Sequence, residues 1–111
     1  MTAMYRLLAA WTERCATSIV MLVVAIARIP PKGLADYAAY EDRVLSLLPA
    51  HGAKLERRLR TRDGTTEVHV IRFPSQGALE GYLADPLREQ HRALLDSSGA
   101  AIEVFEMDDR V

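Results

Sequence analysis

The chain has 111 residues, half of them apolar, with 14 basic and 15 acidic side chains and a formal net charge of -1. That length fits one globular domain with one core, and the near balance of charge excludes a disordered polyelectrolyte and a protein that holds polyanions by bulk charge. The single cysteine, Cys15, excludes an intrachain disulfide, so a reducing, cytoplasmic setting is the expectation and no thiolate metal site is implied.

At the start of the chain, MTAMYRLLAAWTERCA places Tyr5, Leu8, Trp11 and Thr12 on one side of a short helix, which predicts a helical extension over residues 1–17 ahead of a single domain over 18–111. The next stretch, CATSIVMLVVAIAR, carries no charge between Arg14 and Arg28. Two readings compete for it. Ala25-Ile26-Ala27 imitates a signal-peptide cleavage site after an apolar run. Against that, Glu13 does not suit a basic leader, and the run is shorter than the roughly 18 residues of a membrane span. Its β-branched residues, Ile19, Val20, Val23, Val24 and Ile26, suit a strand buried on both faces, the better supported reading.

Pro30-Pro31-Lys32-Gly33 ends that strand. Leu34, Tyr37, Ala38, Val44, Leu45 and Leu48 then recur at helical spacing, with His51-Gly52 as the stop. Two strand-like runs follow around Asp63-Gly64, a dipeptide that favours a tight hairpin. Pro74 closes the second run and Ser75 is a helix N-cap. This second helix breaks near Asp85-Pro86 and resumes with Leu87, His91, Leu94 and Leu95 on one face. After the loop Asp96 to Gly99, AIEVFEM alternates with period two and forms a last strand.

The order is therefore β-α-β-β-α-β, the ferredoxin-like α+β pattern with an antiparallel sheet. Both helices cover one face of such a sheet, and the other face needs a cover. A symmetric partner hides two such faces at once, so a homodimer is expected.

Period-two alternation puts Glu67, His69, Ile71 and Phe73 on one face of the third strand and Val68 and Val70 on the other. A carboxylate two residues from an imidazole on the same face would hold the ring's orientation and raise its basicity, which suits a general base. The plainer reading is that Glu67 and His69 merely occupy the wetter, hairpin end of that face. His91 shares a helix face with leucines and is a core or pocket-edge residue as readily as a ligand-binding one. His51, before a glycine at a helix end, has a structural role. Tyr37, Tyr40 and Tyr82 could aim hydroxyls into a pocket between helices and sheet, although aromatic residues at this spacing also serve as core. Arg72 shares its face with Val68 and Val70 and needs a carboxylate partner or an anionic ligand if covered.

Lys54, Arg57, Arg58, Arg60 and Arg62 form a basic run, but the interleaved Glu56 and Asp63 and the lack of stacking aromatics favour a charged edge strand over a nucleic-acid surface. Three scattered histidines give no metal-ligand spacing, and there is no Gly-rich phosphate loop.

The pieces Tyr37-Ala38-Ala39-Tyr40, His51-Gly52-Ala53-Lys54-Leu55, Phe73-Pro74-Ser75 at a helix entry and Asp85-Pro86 resemble the DUF1330 family of the dimeric α+β barrel superfamily, over about residues 20 to 108. Departures are Ala53 at a usual glycine, Arg72 at a position often acidic, and Leu87-Arg88 where a tyrosine often follows. The resemblance implies a homodimer, among relatives that include cofactor-independent monooxygenases, isomerase-like enzymes and haem-degrading enzymes. It implies no settled reaction.

Two functions from different classes are carried forward. One is a cofactor-independent enzyme in which His69, oriented by Glu67, moves a proton on a small hydrophobic metabolite, aromatic or carbonyl-bearing, with Arg72, Tyr37, Tyr40, Tyr82 and His91 as binding candidates. The other is a noncatalytic dimer that binds a ligand or a protein. Neither calls for a cofactor, a nucleic acid or a membrane.

Overall fold

The computed structural model describes residues 20–110. The helix expected over residues 1–17, with Tyr5, Leu8, Trp11 and Thr12, lies outside them. Four strands, β1 (Met21–Arg28), β2 (Lys54–Arg60), β3 (Thr66–Phe73) and β4 (Ala101–Met107), form one antiparallel sheet in the order β2-β3-β1-β4. With helix α1 (Leu34–Leu45) after β1 and α2 (Gln76–Leu83), α3 (Pro86–Glu89) and α4 (Arg92–Ser98) between β3 and β4, this is the ferredoxin-like α+β fold.

Ala25-Ile26-Ala27 lies in the middle of β1, opposite His69, Val68 and Glu67 on one side and Val104, Glu103 and Ile102 on the other. The apolar segment is a central strand, and its β-branched residues suit the pleated ladder on both sides. Pro30 and Pro31 stop it, and a 3-10 turn over Pro31–Gly33 leads into α1. Gly33 is required there: a Cβ would run into the backbone carbonyl of Ser98 at the end of α4.

Helix α1 is shorter than its apolar spacing predicts. It buries Tyr37, Tyr40, Glu41 and Val44 and ends at Leu45, because a helix continued through Pro49 would lose a hydrogen bond and press the proline ring on the carbonyl of Leu45. Leu48 reaches the core from a separate 3-10 turn, Leu48–His51, closed by Gly52 at φ 71°. The hairpin between β2 and β3 is also looser than a two-residue turn. Asp63 accepts hydrogen bonds from the hydroxyls of Thr61 and Thr65 and from the Thr65 amide, and Gly64 takes φ 79°. Ser75 caps α2 by accepting from the Ala78 amide, as its position predicts. The segment after Asp85 is not one resumed helix: α3 ends at Glu89, His91 is the N-cap of α4, and Leu87 is exposed.

On the helix side of the sheet the core falls into two apolar clusters. One holds Val23, Leu48, Ala53, Ile71, Phe73, Leu79 and Tyr82; the other holds Ala27, Ile29 and Tyr37, with Leu34, Leu95, Ala100 and Ile102 packed on it. The open face presents Leu22, Val24 and Ile26 of β1 beside Val68 and Val70 of β3, with Phe105 and Met107 exposed on β4 and Leu59 on β2.

Candidate proton-transfer site

Between the two apolar clusters sits a group of ionisable side chains. Glu67 and His69 of β3 lie opposite Ala27 and Ala25 of β1, whose small side chains leave room for them. Both are buried, at 1% and 4% exposure, so neither occupies a wet strand end. His69 Nε2 is 2.6 Å from Glu67 Oε1. Its other nitrogen, Nδ1, is 3.3 Å from Oε2 of Glu41, a residue of α1 that is itself 5% exposed. The three groups thus form one buried chain, Glu41–His69–Glu67.

The charge of Glu67 is balanced from β2. Arg58 Nε donates to Oε1 at 2.9 Å and Arg60 Nε to Oε2 at 2.7 Å. A bulge at Glu56 makes this possible. Leu55 opposes Ile71 and Arg57 opposes Val70, so two steps of β2 match one of β3. The slip turns Arg58 and Arg60, opposite His69 and Glu67, to the helix side with Leu55. The basic run is an edge strand, but two of its arginines serve the interior.

These contacts set the protonation states. Burial works to raise Glu67, but hydrogen bonds from His69, Arg58 and Arg60 more than offset it and hold the carboxyl below its ordinary range. Burial lowers His69 and outweighs the opposing pull of Glu67, so the ring is neutral at neutral pH. Glu41 is pushed up to about 7, first by burial and then by the charge of Glu67, against the pull of Arg58 and of the Tyr37 hydroxyl beside it. Near neutrality the network assigns a proton on Nε2, donated to ionised Glu67, which leaves Nδ1 unprotonated and facing Glu41 Oε2 at 3.3 Å.

The chain of groups ends at a cavity. Glu41 and His69 form its polar floor, and Val44, Ile71, Phe73 and Leu79 its apolar walls. This chamber is about 70 Å³ and adjoins a larger one of about 240 Å³, with Tyr40, Leu83, Arg88, Ile102 and Val104 lining both. The smaller chamber alone is below the roughly 150 Å³ that encloses a benzene ring.

Among the residues singled out by sequence, Glu67, His69, Tyr40 and Tyr82 gather here. The Tyr82 hydroxyl is taken by the carbonyl of Val44 at 3.0 Å, so its ring is wall. Tyr37 lies on the far side of the ionisable group, in a separate crevice with Arg60 and Glu67. Burial and the charges of Glu41 and Glu67 raise its hydroxyl, which stays protonated. Arg72 is on the opposite face of the sheet, where Glu56, the bulge residue, supplies its carboxylate at 2.9 and 3.1 Å. His91 is outside the cavity lining. His51 bonds Asp85 at 2.7 Å and closes the end of the 3-10 turn against α2. Sequence reasoning missed Glu41, Arg58, Arg60 and Arg88. Glu41 carried a readable signal, since it stands four residues after Tyr37 and three before Val44, on the apolar stripe of α1.

Among the described residues no group of three or more His, Cys, Asp or Glu side chains is arranged to hold a metal ion, and no helix is long and apolar enough to cross a membrane. No protein-family model matches the chain, and no curated protein matches it. Solved structures do. The cofactor-independent oxygenase SnoaB from Streptomyces nogalater superposes with a TM-score of 0.68 at 18% identity, over 83% of this chain and 94% of that one. Rv0793 from Mycobacterium tuberculosis gives 0.65 at 20% identity, over 82% and 97%. A dimeric ferredoxin-like protein of unknown function from Jannaschia sp. CCS1 gives 0.60 at 17% identity, over 79% and 99%. At these identities the likeness establishes a shared fold, the ferredoxin-like α+β fold.

Proposed function

We propose that the chain is a small-molecule-binding, homodimeric α+β barrel protein, of the DUF1330 type within that fold, and that it acts as a cofactor-independent enzyme of the monooxygenase or isomerase kind. The observation that carries the reading is the buried chain Glu41–His69–Glu67 ending in an apolar cavity. Aliphatic side chains of similar volume would stabilise the same core as well or better. A carboxyl poised near neutrality suits proton transfer to or from a carbon or oxygen of a bound metabolite.

The roles differ from those expected of a simple Glu-oriented histidine base. Nε2 of His69 is bonded to Glu67 and Nδ1 faces Glu41 at 3.3 Å, with Glu41 as the group that meets the substrate. His69 accepts or returns the proton of Glu41 through Nδ1, and Glu67, fixed by Arg58 and Arg60, stabilises the imidazolium that results. Deprotonation beside a carbonyl would give an enolate, the electron-rich form of a metabolite that can isomerise or meet dioxygen. Support for the dimer is the apolar open face, with Phe105 and Met107 at its β4 side, together with the dimeric state of the Jannaschia neighbour.

The same enclosure of both nitrogens gives the second reading, a noncatalytic ligand-binding dimer, its specific support. Incubation of bicyclic ketones that carry hydrogens beside the carbonyl, such as 1-tetralone, in deuterated buffer, without cofactor, separates the two. Wash-in of deuterium beside the carbonyl is expected from the wild type and is lost by a factor of about 100 or more in Glu41→Gln and His69→Gln. Equal exchange in wild type and His69→Gln would end the enzyme reading.

A further inference from the structure

Arg88, in α3, stands where both chambers of the cavity meet. Its guanidinium lies over the Tyr82 ring at 4.7 Å, Nη1 donates to the carbonyl of Leu83 at 3.2 Å and Nη2 to the Tyr40 hydroxyl at 3.3 Å. Both hydrogen bonds are long, both acceptors are neutral, and the buried Nε has no partner. Among the described residues no carboxylate lies within ion-pair distance of it.

Other arginines are placed differently. Arg28, Arg58, Arg60, Arg72 and Arg92 each have a carboxylate partner. Arg43, Arg57, Arg62 and Arg110 have none within that distance but are exposed, where water serves. Arg88 alone of the described arginines is partly buried with no carboxylate within ion-pair distance, although Glu41 of the same cavity feels its charge from farther off. Leaving a cation and a donor so placed is costly unless something anionic comes to meet them. Of its neighbours in the larger chamber, Glu89 lies toward Arg92 at 3.8 Å, and Arg92 also faces Asp96 at 3.5 Å.

We infer that Arg88 is the anion subsite of this cavity and that the ligand is an apolar organic acid, its carboxylate taken by the guanidinium at the chamber junction and its hydrocarbon part by the apolar walls. The planar, five-donor fork of arginine suits a two-oxygen anion, and Nη1 and Nη2 each keep a second N–H beyond the one given to Leu83 or Tyr40. The inference rests on the cavity being a ligand site, as proposed above, and it narrows the substrate class from carbonyl compounds at large to those that also carry a carboxylate.

The test uses a matched pair, 2-naphthoate and its neutral isostere 2-naphthamide, titrated calorimetrically into the full chain. Wild type is expected to hold the acid at least about tenfold more tightly than the amide. Arg88→Gln should erase that preference while leaving amide affinity within about twofold, and Arg88→Lys should keep part of it as a point charge. Melting curves confirm that each variant is folded. If Arg88→Gln does not fold, the Arg88→Lys loss decides. Equal affinity for acid and amide in the wild type, or a preference unchanged in Arg88→Gln and Arg88→Lys, would overturn the anion subsite and leave the ligand cavity standing. Failure of both probes to bind would remove the cavity reading and the subsite with it.

Discussion

Replacing Glu67 by Gln removes one negative charge from the most enclosed polar position of the domain. The carboxylate receives Arg58 Nε at 2.9 Å, Arg60 Nε at 2.7 Å and His69 Nε2 at 2.6 Å, with Arg60 Nη2 also 2.6 Å away. A glutamine offers one acceptor oxygen and turns an NH₂ group toward guanidinium donors. Breaking a buried pair from one side costs about 3–5 kcal/mol. Here the side chains of Arg58 and Arg60 are 31% and 51% exposed and can hydrate in part, which places the loss near the lower end, about 3 kcal/mol. For a domain of this size that is a fall in Tm on the order of 12–24 °C. Urea unfolding is the assay, with the midpoint expected to move while the slope stays constant. Combining Glu67→Gln with Arg58→Met and Arg60→Met should recover part of the loss, because no unpaired cation then remains. A loss below about 0.5 kcal/mol, or no recovery in the combined variant, would refute the claim that Glu67 is the buried counter-ion of both arginines.

The pH dependence of stability follows from Glu41 with a definite sign. A carboxyl whose folded value is raised from 4.5 to about 7 holds its proton more tightly in the folded state, so its contribution to stability is present below the unfolded value and is lost as pH rises to about 7. His69, lowered by burial, acts in the opposite sense just below its unfolded value, so the clean measurement is a difference: Glu41→Gln should gain up to about 3 kcal/mol relative to wild type between pH 5 and pH 8, and a flat difference would refute it. Gly33→Ala, which drives a Cβ into the carbonyl of Ser98, should cost about 2–3 kcal/mol in the same unfolding assay, and a neutral result would show that α4 does not pack there. Phe105→Glu on the open face should convert a dimer to a monomer in light scattering, and an unchanged dimer would move the interface elsewhere.

The elements were legible because their signals are local: alternation in β3, β-branched residues in β1, a serine before α2. The early end of α1 was also local, since Pro49 bars a helix from running on through it, but the apolar spacing of Leu48 masked it. The pairing of Glu67 with His69 was readable from period two. What held it was not. A bulge at Glu56 depends on how two strands meet, and simple alternation along β2 groups Arg58 and Arg60 with Glu56 rather than with Leu55. The same slip gives Arg72 its partner. Glu41 and Arg88 come from helices whose rotation over the sheet no single segment specifies, although a glutamate on the apolar stripe of α1 was a sign available to a closer reading.

Selective ¹³C labelling of glutamate, with the Glu41 carboxyl carbon followed by NMR from pH 4 to 9, addresses the proton-transfer chain at its working end. A titration midpoint near 7 that falls in Glu67→Gln, where the neighbouring charge is gone, is the expected result. A midpoint in the ordinary carboxylate range, insensitive to Glu67, would mean that Glu41 stays ionised at neutral pH and holds no proton to exchange with a ligand.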